Sequence, residues 1–267
     1  MNTPAPTPPM ALLETFGRGL TVTFAERGSG AATLVLHGGA GPMSIGRFTE
    51  AISATHRVVA PIQPGFAGTA RPDWFRSIEA VASVYIELLD RLALKDVLLI
   101  GFSMGGWIAA EVAARAGDRL RGVILVDSVG IEVEGQPCAD VFGLTPQQLS
   151  ALSYHDPIAY GIDPSAFSPE QRAAMATNFA TLAVYGRERN MQDPTLRGRL
   201  ANVQAPALVI WGESDRVVTP VYGQAFASAF PKSRFEVIAK CGHMPQIEQP
   251  AKLLELVRAF DMEVSRA

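Results

Sequence analysis

Short runs of aliphatic and β-branched residues alternate with helical patterns along most of this 267-residue chain. Seven runs have the length and composition of strands, and several are almost entirely Val, Ile and Leu: 20–25, 33–37, 57–60, 97–101, 122–127, 207–211 and 234–238. Strands that are buried on both faces of a parallel sheet have this composition. The alternation predicts an α/β fold with right-handed crossovers, built on a mostly parallel, doubly wound sheet.

Helical periodicity is clearest over residues 77–94, where apolar side chains recur at the spacing of one helix face. Ser77 stands at the start of this pattern as the expected N-cap. Two further helices are predicted over 221–230 and 251–260. The chain is 48% hydrophobic and 18% charged, which is enough apolar surface for one large core.

The alternation stops between about residues 130 and 203, where no segment has the composition of a strand. Thr145-Pro146 and Ser168-Pro169 predict two helix starts, because an N-cap residue is followed by proline at the first helical position. We expect this interval to form a helical cap over the carboxyl edge of the sheet, where open α/β sheets bind ligands. The expected domains are a disordered Pro-rich lead-in, a core in two parts and the inserted cap: 1–15, 16–130 with 204–267, and 131–203.

One junction between a predicted strand and a helical stretch points to chemistry. The predicted strand 97–101 leads into the segment Gly101-Phe102-Ser103-Met104-Gly105. In this context Gly-x-Ser-x-Gly is typical of a sharp turn that exposes the serine hydroxyl at the top of a sheet. The N-terminal N–H groups of the following helix favour negative charge that develops there. Alone, the pentapeptide is equally compatible with an ordinary glycine-rich turn, so Ser103 is a nucleophile only if its partners are present.

A serine hydroxyl needs a base within hydrogen-bond reach, and the base needs an orienting carboxylate. His243 lies in a loop after the last predicted strand, and Asp215 follows the strand before it. Strand ends of a parallel sheet meet at one edge, so both side chains are predicted near Ser103. Asp127, which ends an earlier strand, is the alternative acid. His37 precedes two glycines and is interpreted as a residue that holds its loop.

Four segments carry a resemblance to a known family: His37-Gly38-Gly39, Gly101-Phe102-Ser103-Met104-Gly105-Gly106, Trp211-Gly212-Glu213-Ser214-Asp215 and Gly242-His243-Met244-Pro245. The chain resembles the α/β-hydrolase family over roughly residues 20–262. The resemblance implies an α/β-hydrolase fold and a Ser103–His243–Asp215 triad in the chain order serine, acid, histidine. It also implies an oxyanion hole formed by the backbone N–H groups of Met104 and Gly39, with Ala40 replacing Gly39 if the loop is shifted by one residue.

The resemblance leads us to expect a serine hydrolase that cleaves a small, largely apolar carboxylic ester or lactone through an acyl-enzyme. A carbon–carbon bond hydrolase of a vinylogous diketone, of the meta-cleavage type, is the alternative enzyme. A non-catalytic small-molecule receptor on the same fold is the alternative from a different class.

Charge and cysteine content limit the expected partners and compartment. The net charge is −3 and the basic residues are scattered, so neither nucleic acid nor an anionic membrane is expected as a partner. Two cysteines make no disulfide framework, which favours a cytoplasmic protein. We find no zinc-ligand spacing and no phosphate loop, and expect no metal and no cofactor. The expected partner is a small-molecule substrate, and the chain is expected to be a monomer or homodimer.

Overall fold

A computed structural model describes residues 11–161 and 163–266. The strands found there are β1 Ala11–Thr15, β2 Thr21–Arg27, β3 Ala31–Leu36, β4 His56–Pro61, β5 Val97–Phe102, β6 Leu120–Val126, β7 Gly130–Ile131, β8 Gln192–Asp193, β9 Ala207–Gly212 and β10 Ser233–Ile238. The helices are α1 Gly46–Ile52, α2 Ile78–Arg91, α3 Met104–Ala113, α4 Pro146–Ser153, α5 Pro157–Tyr160, α6 Pro169–Gly186, α7 Leu196–Leu200, α8 Pro220–Ala227, α9 Pro245–Glu248 and α10 Pro250–Val264. All seven predicted strands are present, as β2 to β6, β9 and β10, and the three predicted helices are α2, α8 and α10.

Within the described residues, eight strands form one sheet in the order β1-β2-β4-β3-β5-β6-β9-β10. The six strands from β4 to β10 in this order are parallel, and β1 and β2 add antiparallel pairs at one edge. The predicted α/β fold with a mostly parallel sheet is confirmed. Since β4 lies on one side of β3 and β5 on the other, the strand order reverses at β3, and open sheets bind ligands beyond the carboxyl ends at such a point.

Side chains of the central strands alternate between two buried faces. Leu99 in β5 packs in the cluster that contains the apolar faces of α2 and α3. Its neighbours Leu98 and Ile100 pack in the cluster that contains α1 and α10. Full burial of such a side chain stabilises the fold by about 1.5–3 kcal/mol. Because helices cover both faces, the central strands need apolar residues at every position.

The segment between β6 and β9 carries α4, α5, α6 and α7, and the two predicted helix starts are those of α4 and α6. Thr145 and Ser168 each accept the backbone N–H three residues ahead, and a glutamine at that position bonds back to the cap residue. These capping boxes satisfy N–H groups that a helix start leaves without partners. The expectation of no strand in this interval is wrong, because β7 and β8 form a short parallel pair at its two ends. Two residues per strand are too few to show a period in the sequence.

The predicted Pro-rich lead-in covers 1–15, of which residues 1–10 lie outside the described part of the chain. Residues 11–15 are not disordered, because they form strand β1 and pair with β2 from Ala11 opposite Ala25 to Thr15 opposite Thr21. This pairing supplies the stability of the edge strand. The five residues contain no proline, and the predicted boundary of the lead-in therefore lies about five residues too late.

Candidate active site

Ser103 lies at a strained turn between β5 and α3. Its backbone has φ +51° and ψ −117°, outside the regions that most L-residues adopt. A Cβ on Gly101 would collide with the carbonyl oxygen of Gly105, and a Cβ on Gly105 would collide with that of Leu36. The glycines of the pentapeptide are therefore required by close backbone approach. The turn presents the half-buried Ser103 side chain at the carboxyl edge of the sheet.

The structure brings Ser103, His243 and Asp215 into one hydrogen-bonded chain. His243 Nε2 lies 2.9 Å from Ser103 Oγ, and His243 Nδ1 lies 2.7 Å from Asp215 Oδ2. The other Asp215 oxygen accepts the N–H groups of Val217 and Val218, at 2.8 and 3.1 Å. These bonds fix the carboxylate so that it accepts from Nδ1–H, which leaves Nε2 free to take a proton from the serine.

The loop that carries His243 is held by a buried carboxylate. Glu248 in α9 accepts the N–H of Gly242 at 2.6 Å and the N–H of His155 at 3.0 Å. It also accepts the N–H of Asp156 at 3.1 Å. Since His155 and Asp156 follow α4, one side chain ties the histidine loop to the cap segment. Hydrogen bonds to a charged acceptor are roughly twice as strong as neutral ones.

The loop after β3 lies against the serine turn. A Cβ on Gly38 would lie 3.0 Å from Ser103 Cβ, so the backbone there comes as close as a glycine allows. His37 Nδ1 lies 2.8 Å from the Gly38 carbonyl oxygen, which only accepts, so Nδ1 carries the hydrogen. Nε2 then accepts the N–H of Gln63 at 3.3 Å. His37 is thus a neutral imidazole that joins two loops, and burial lowers its pKa to about 4.

Acidification from pH 7 to pH 4 is expected to destabilise the fold through His37. Its pKa of about 4 in the folded chain lies below the ordinary value of 6.5. The unfolded chain therefore binds the proton first, and the free energy of unfolding falls from about pH 6.5 down to about pH 4. The loss for this one group is about 3 kcal/mol. Urea unfolding of the wild type and of His37→Asn at both pH values measures it.

The His37→Asn variant has no titrating group at this position, so it should lose about 3 kcal/mol less than the wild type between the two pH values. The remaining titratable groups are the same in both proteins, so their contributions cancel in the comparison. Equal losses in the two proteins would contradict a neutral, buried His37.

One face of α6 covers the loop that carries the predicted oxyanion donors. Asn178 donates from Nδ2 to the Ala40 carbonyl oxygen at 3.3 Å and accepts the Ala67 N–H at 2.8 Å. Leu182 lies against Gly39, where a Cβ would be 2.6 Å from Cδ2 of the leucine. Two more bonds from this face reach the loop after β4, Thr181 Oγ1 to Gly65 O and Tyr185 Oη to Pro64 O, both at 2.9 Å. The cap helix is therefore joined directly to the loop of Gly39 and Ala40.

The predicted alternative acid, Asp127, does not contact the histidine as the triad carboxylate. Its Oδ1 accepts the N–H of Gly212 at 2.8 Å, whereas Asp215 holds His243. Met104 is the first residue of α3, so its N–H belongs to the turn whose donors have no acceptor within the helix. Met104 thus follows Ser103 directly, and Gly39 is next in the chain to Gly38, whose α-carbon lies against Ser103.

Glu248, Gln63 and Asn178 shape this site and were not predicted from the sequence. Each bonds a backbone group that is distant along the chain: Glu248 bonds His155, Gln63 bonds His37 and Asn178 bonds Ala67. A backbone N–H or C=O group is present at every residue except that proline lacks the N–H, so the identity of the partner residue gives no signal in the sequence. Their roles follow only from the way the loops pack.

Two groups of acidic or histidine side chains have ligand atoms within 4.8 Å of one another among the described residues: Asp127 with Asp215 and His243, and Glu79 with Glu111 and Asp193. In the first group both ring nitrogens of the histidine are already engaged by Ser103 and the second aspartate. In the second group the carboxylates pair with Arg189 and Arg199. In both groups, side chains of the protein already bond or pair with atoms that could otherwise bind a metal ion.

Comparisons with known proteins agree with this fold. The chain matches the alpha/beta hydrolase family over residues 34–256, and it belongs to that family. Among curated proteins it is 28% identical to a 2-hydroxymuconate semialdehyde hydrolase of Pseudomonas putida, over 97% of both chains. No helix in the described residues is long and apolar enough to cross a bilayer.

Solved structures of several hydrolases share the fold. A thermophilic esterase from Thermogutta terrifontis superposes with a TM-score of 0.76 at 23% identity, over 96% of this chain and 99% of the other. A meta-cleavage product hydrolase from Pseudomonas fluorescens IP01 superposes with a TM-score of 0.75 at 23% identity, over 92% and 95%. At this identity the likeness establishes the fold and does not separate the two chemistries.

Proposed function

We propose that this chain is a serine hydrolase that works through an acyl-enzyme. The observation that carries the proposal is the continuous hydrogen-bonded chain from Ser103 Oγ through His243 to Asp215. A nucleophile, a base and an orienting acid in this arrangement are the groups that acyl transfer requires. Membership of the alpha/beta hydrolase family supports the same conclusion.

In the proposed reaction His243 Nε2 takes the proton of Ser103 while Oγ attacks the substrate carbonyl carbon. Asp215 holds the imidazole and stabilises the imidazolium that forms. The N–H groups of Met104 and Gly39 bind the oxyanion, a contribution of roughly 3–4 kcal/mol per donor. The imidazolium then protonates the leaving group. Water, deprotonated by the same histidine, attacks the acyl-enzyme and releases a carboxylic acid.

The substrate class that we place first is an unsaturated dicarbonyl acid of the 2-hydroxymuconate semialdehyde type. The curated relative that spans 97% of this chain is named for that compound. The compound contains no ester or lactone bond, so its hydrolysis breaks a carbon–carbon bond next to a carbonyl group. The hydroxyl of water ends on the acyl carbon, and its hydrogen ends on the carbon fragment that leaves.

Ester or lactone hydrolysis, which the sequence alone favours, is the second candidate. An alkoxide leaving group takes its proton from His243, so this reaction needs no group beyond Ser103, His243, Asp215 and the two backbone donors. The hydrogen bonds from Ser103 through His243 to Asp215, and the place of Met104 at the start of α3, support this candidate. Carbon–carbon cleavage additionally needs a proton delivered to carbon.

Two parallel assays test the substrate class. Purified protein is given 2-hydroxymuconate semialdehyde and, separately, p-nitrophenyl butyrate. We expect kcat/KM for the semialdehyde to exceed that for the ester by about 100-fold, or about 3 kcal/mol of transition-state binding. The opposite ratio would establish the second candidate.

A substrate-independent probe tests the mechanism itself. A fluorophosphonate reacts with an activated serine and adds a fixed mass, which intact-protein mass spectrometry detects. The wild type should gain one adduct that maps to Ser103, and Ser103→Ala should gain none. An unlabelled wild type would contradict the proposal and would favour a receptor on this fold.

A further inference from the structure

Asp127 is a fully buried carboxyl group directly beyond the end of β6. Its backbone has φ +44°, and its N–H donates to the Ile210 carbonyl oxygen at 3.0 Å. Its Oδ1 accepts the N–H of Gly212, the last residue of β9, at 2.8 Å. The side chain is thereby held at the start of the loop that carries Asp215.

The second oxygen of Asp127 has no hydrogen-bond donor among the described residues. Asp127 belongs to a buried group with Asp215 and His243, in which one carboxylate oxygen of each aspartate and one ring nitrogen of the histidine lie within 4.8 Å of one another. Other titratable groups near this place are Glu248 in α9, the thiol of Cys241 after β10 and the thiol of Cys138, which interacts with Asp215. Three of these six groups are carboxyls, and adjacent buried carboxylates do not all ionise, because like charges repel strongly away from water.

The donors around the two aspartates decide which of them is charged. Asp215 accepts two backbone N–H groups and faces Nδ1 of His243. Asp127 accepts one N–H group. A carboxylate with three donors is favoured in its charged form over one with a single donor. Burial, and then the charge of Asp215, raise the pKa of Asp127 well above its ordinary value.

We propose that Asp127 is a positioning residue that stays protonated at neutral pH and donates its O–H to the Asp215 carboxylate. The role rests on the proposed function, in which Asp215 orients His243. The hydrogen bond fixes the carboxylate without adding a second negative charge beside His243. An ionised Asp127 would instead favour the imidazolium form of His243, which cannot accept the proton of Ser103.

Infrared spectroscopy of the resting protein tests the protonation state. A difference spectrum between the wild type and Asp127→Asn at neutral pH should contain the C=O stretch of a protonated carboxyl group, shifted in D₂O. Loss of an ionised carboxylate band instead would overturn the proposal. No substrate is needed, so this result is independent of whether the proposed hydrolase activity is correct.

Kinetics test the positioning role with two variants. Asp127→Ala removes the donor to Asp215 and leaves the Gly212 N–H without a partner, and we expect kcat to fall by about 10–100-fold with KM little changed. Asp127→Asn keeps an N–H donor and a carbonyl acceptor, and should restore kcat to within about threefold of the wild type. Failure of the asparagine to rescue kcat would overturn the role.

The pH dependence of kcat/KM separates a neutral from a charged Asp127. Replacing a neutral carboxyl by a neutral amide leaves the charge beside His243 unchanged, so the acid limb of Asp127→Asn should coincide with that of the wild type. If Asp127 were ionised in the wild type, its replacement by asparagine would remove a negative charge near His243. The acid limb of kcat/KM would then move to lower pH by about one unit. Such a shift would overturn the proposal even if Asp127→Ala failed to fold.

Discussion

Ser103→Ala is expected to lower kcat by at least about 10⁴-fold, whichever carbonyl substrate the protein accepts. The alanine has no oxygen to attack the carbonyl carbon, and the oxyanion donors alone do not form an acyl-enzyme. The side chain is half-buried and its hydroxyl bonds only His243 among the described contacts. The fold should therefore be retained, with the urea midpoint and circular dichroism close to those of the wild type. The measurement is kcat and KM with the substrate that the wild type turns over.

Ser83→Ala is the matched control for this prediction. Ser83 is exposed on α2, and its hydroxyl donates to the Glu79 carbonyl oxygen at 2.8 Å and has no bond to a residue of the triad among the described contacts. The same chemical change there should leave kcat within about twofold of the wild type. If Ser103→Ala kept more than a tenth of the activity, Ser103 would not be the nucleophile.

Asp215→Asn is expected to lower kcat by about 10⁴-fold while KM changes little. The amide can still accept the N–H groups of Val217 and Val218 through its oxygen. Its NH₂ group then faces Nδ1 of His243 as a donor, which stabilises the tautomer that places a hydrogen on Nε2. That tautomer cannot take the proton of Ser103. Steady-state kinetics with the preferred substrate measure the loss.

Asp118→Asn provides the control for the change of charge. Asp118 is exposed in the turn before β6, at the opposite end of that strand from Asp127. Its amide variant should keep wild-type kcat. A loss smaller than tenfold in Asp215→Asn would show that another group orients His243. A larger loss in Asp127→Asn than in Asp215→Asn would place the acid at the end of β6.

The sheet was predictable because its central strands carry their signal in consecutive residues. Val97–Phe102 is buried at every position, and such a run has few other stable environments in a folded chain. The starts of α4 and α6 were predictable for a similar reason, since Thr145 and Ser168 satisfy backbone donors only three residues away. Strand β1 was not, because its stability comes from pairing with β2.

The candidate triad was predictable in its members and not in its surroundings. Ser103, His243 and Asp215 each follow a predicted strand, and the carboxyl ends of parallel strands meet at one edge. Glu248 and Asn178 bond backbone groups of other loops, and no residue pattern encodes such a partner.

The sequence by itself determined strands β2 to β6, β9 and β10 and helices α2, α8 and α10, because hydrophobic periodicity is written in consecutive residues. It also identified Ser103, His243 and Asp215 as candidates for one site, with Asp127 as the alternative acid, because each lies at or beyond the end of a predicted strand. Only the tertiary structure decided that Asp127 lies beside Asp215 and that α6 bonds the loop of Gly39. Contacts between loops depend on distances of a few ångströms set by packing. The charge of a buried carboxyl group depends on those same distances, because its neighbours replace the water that would otherwise solvate it.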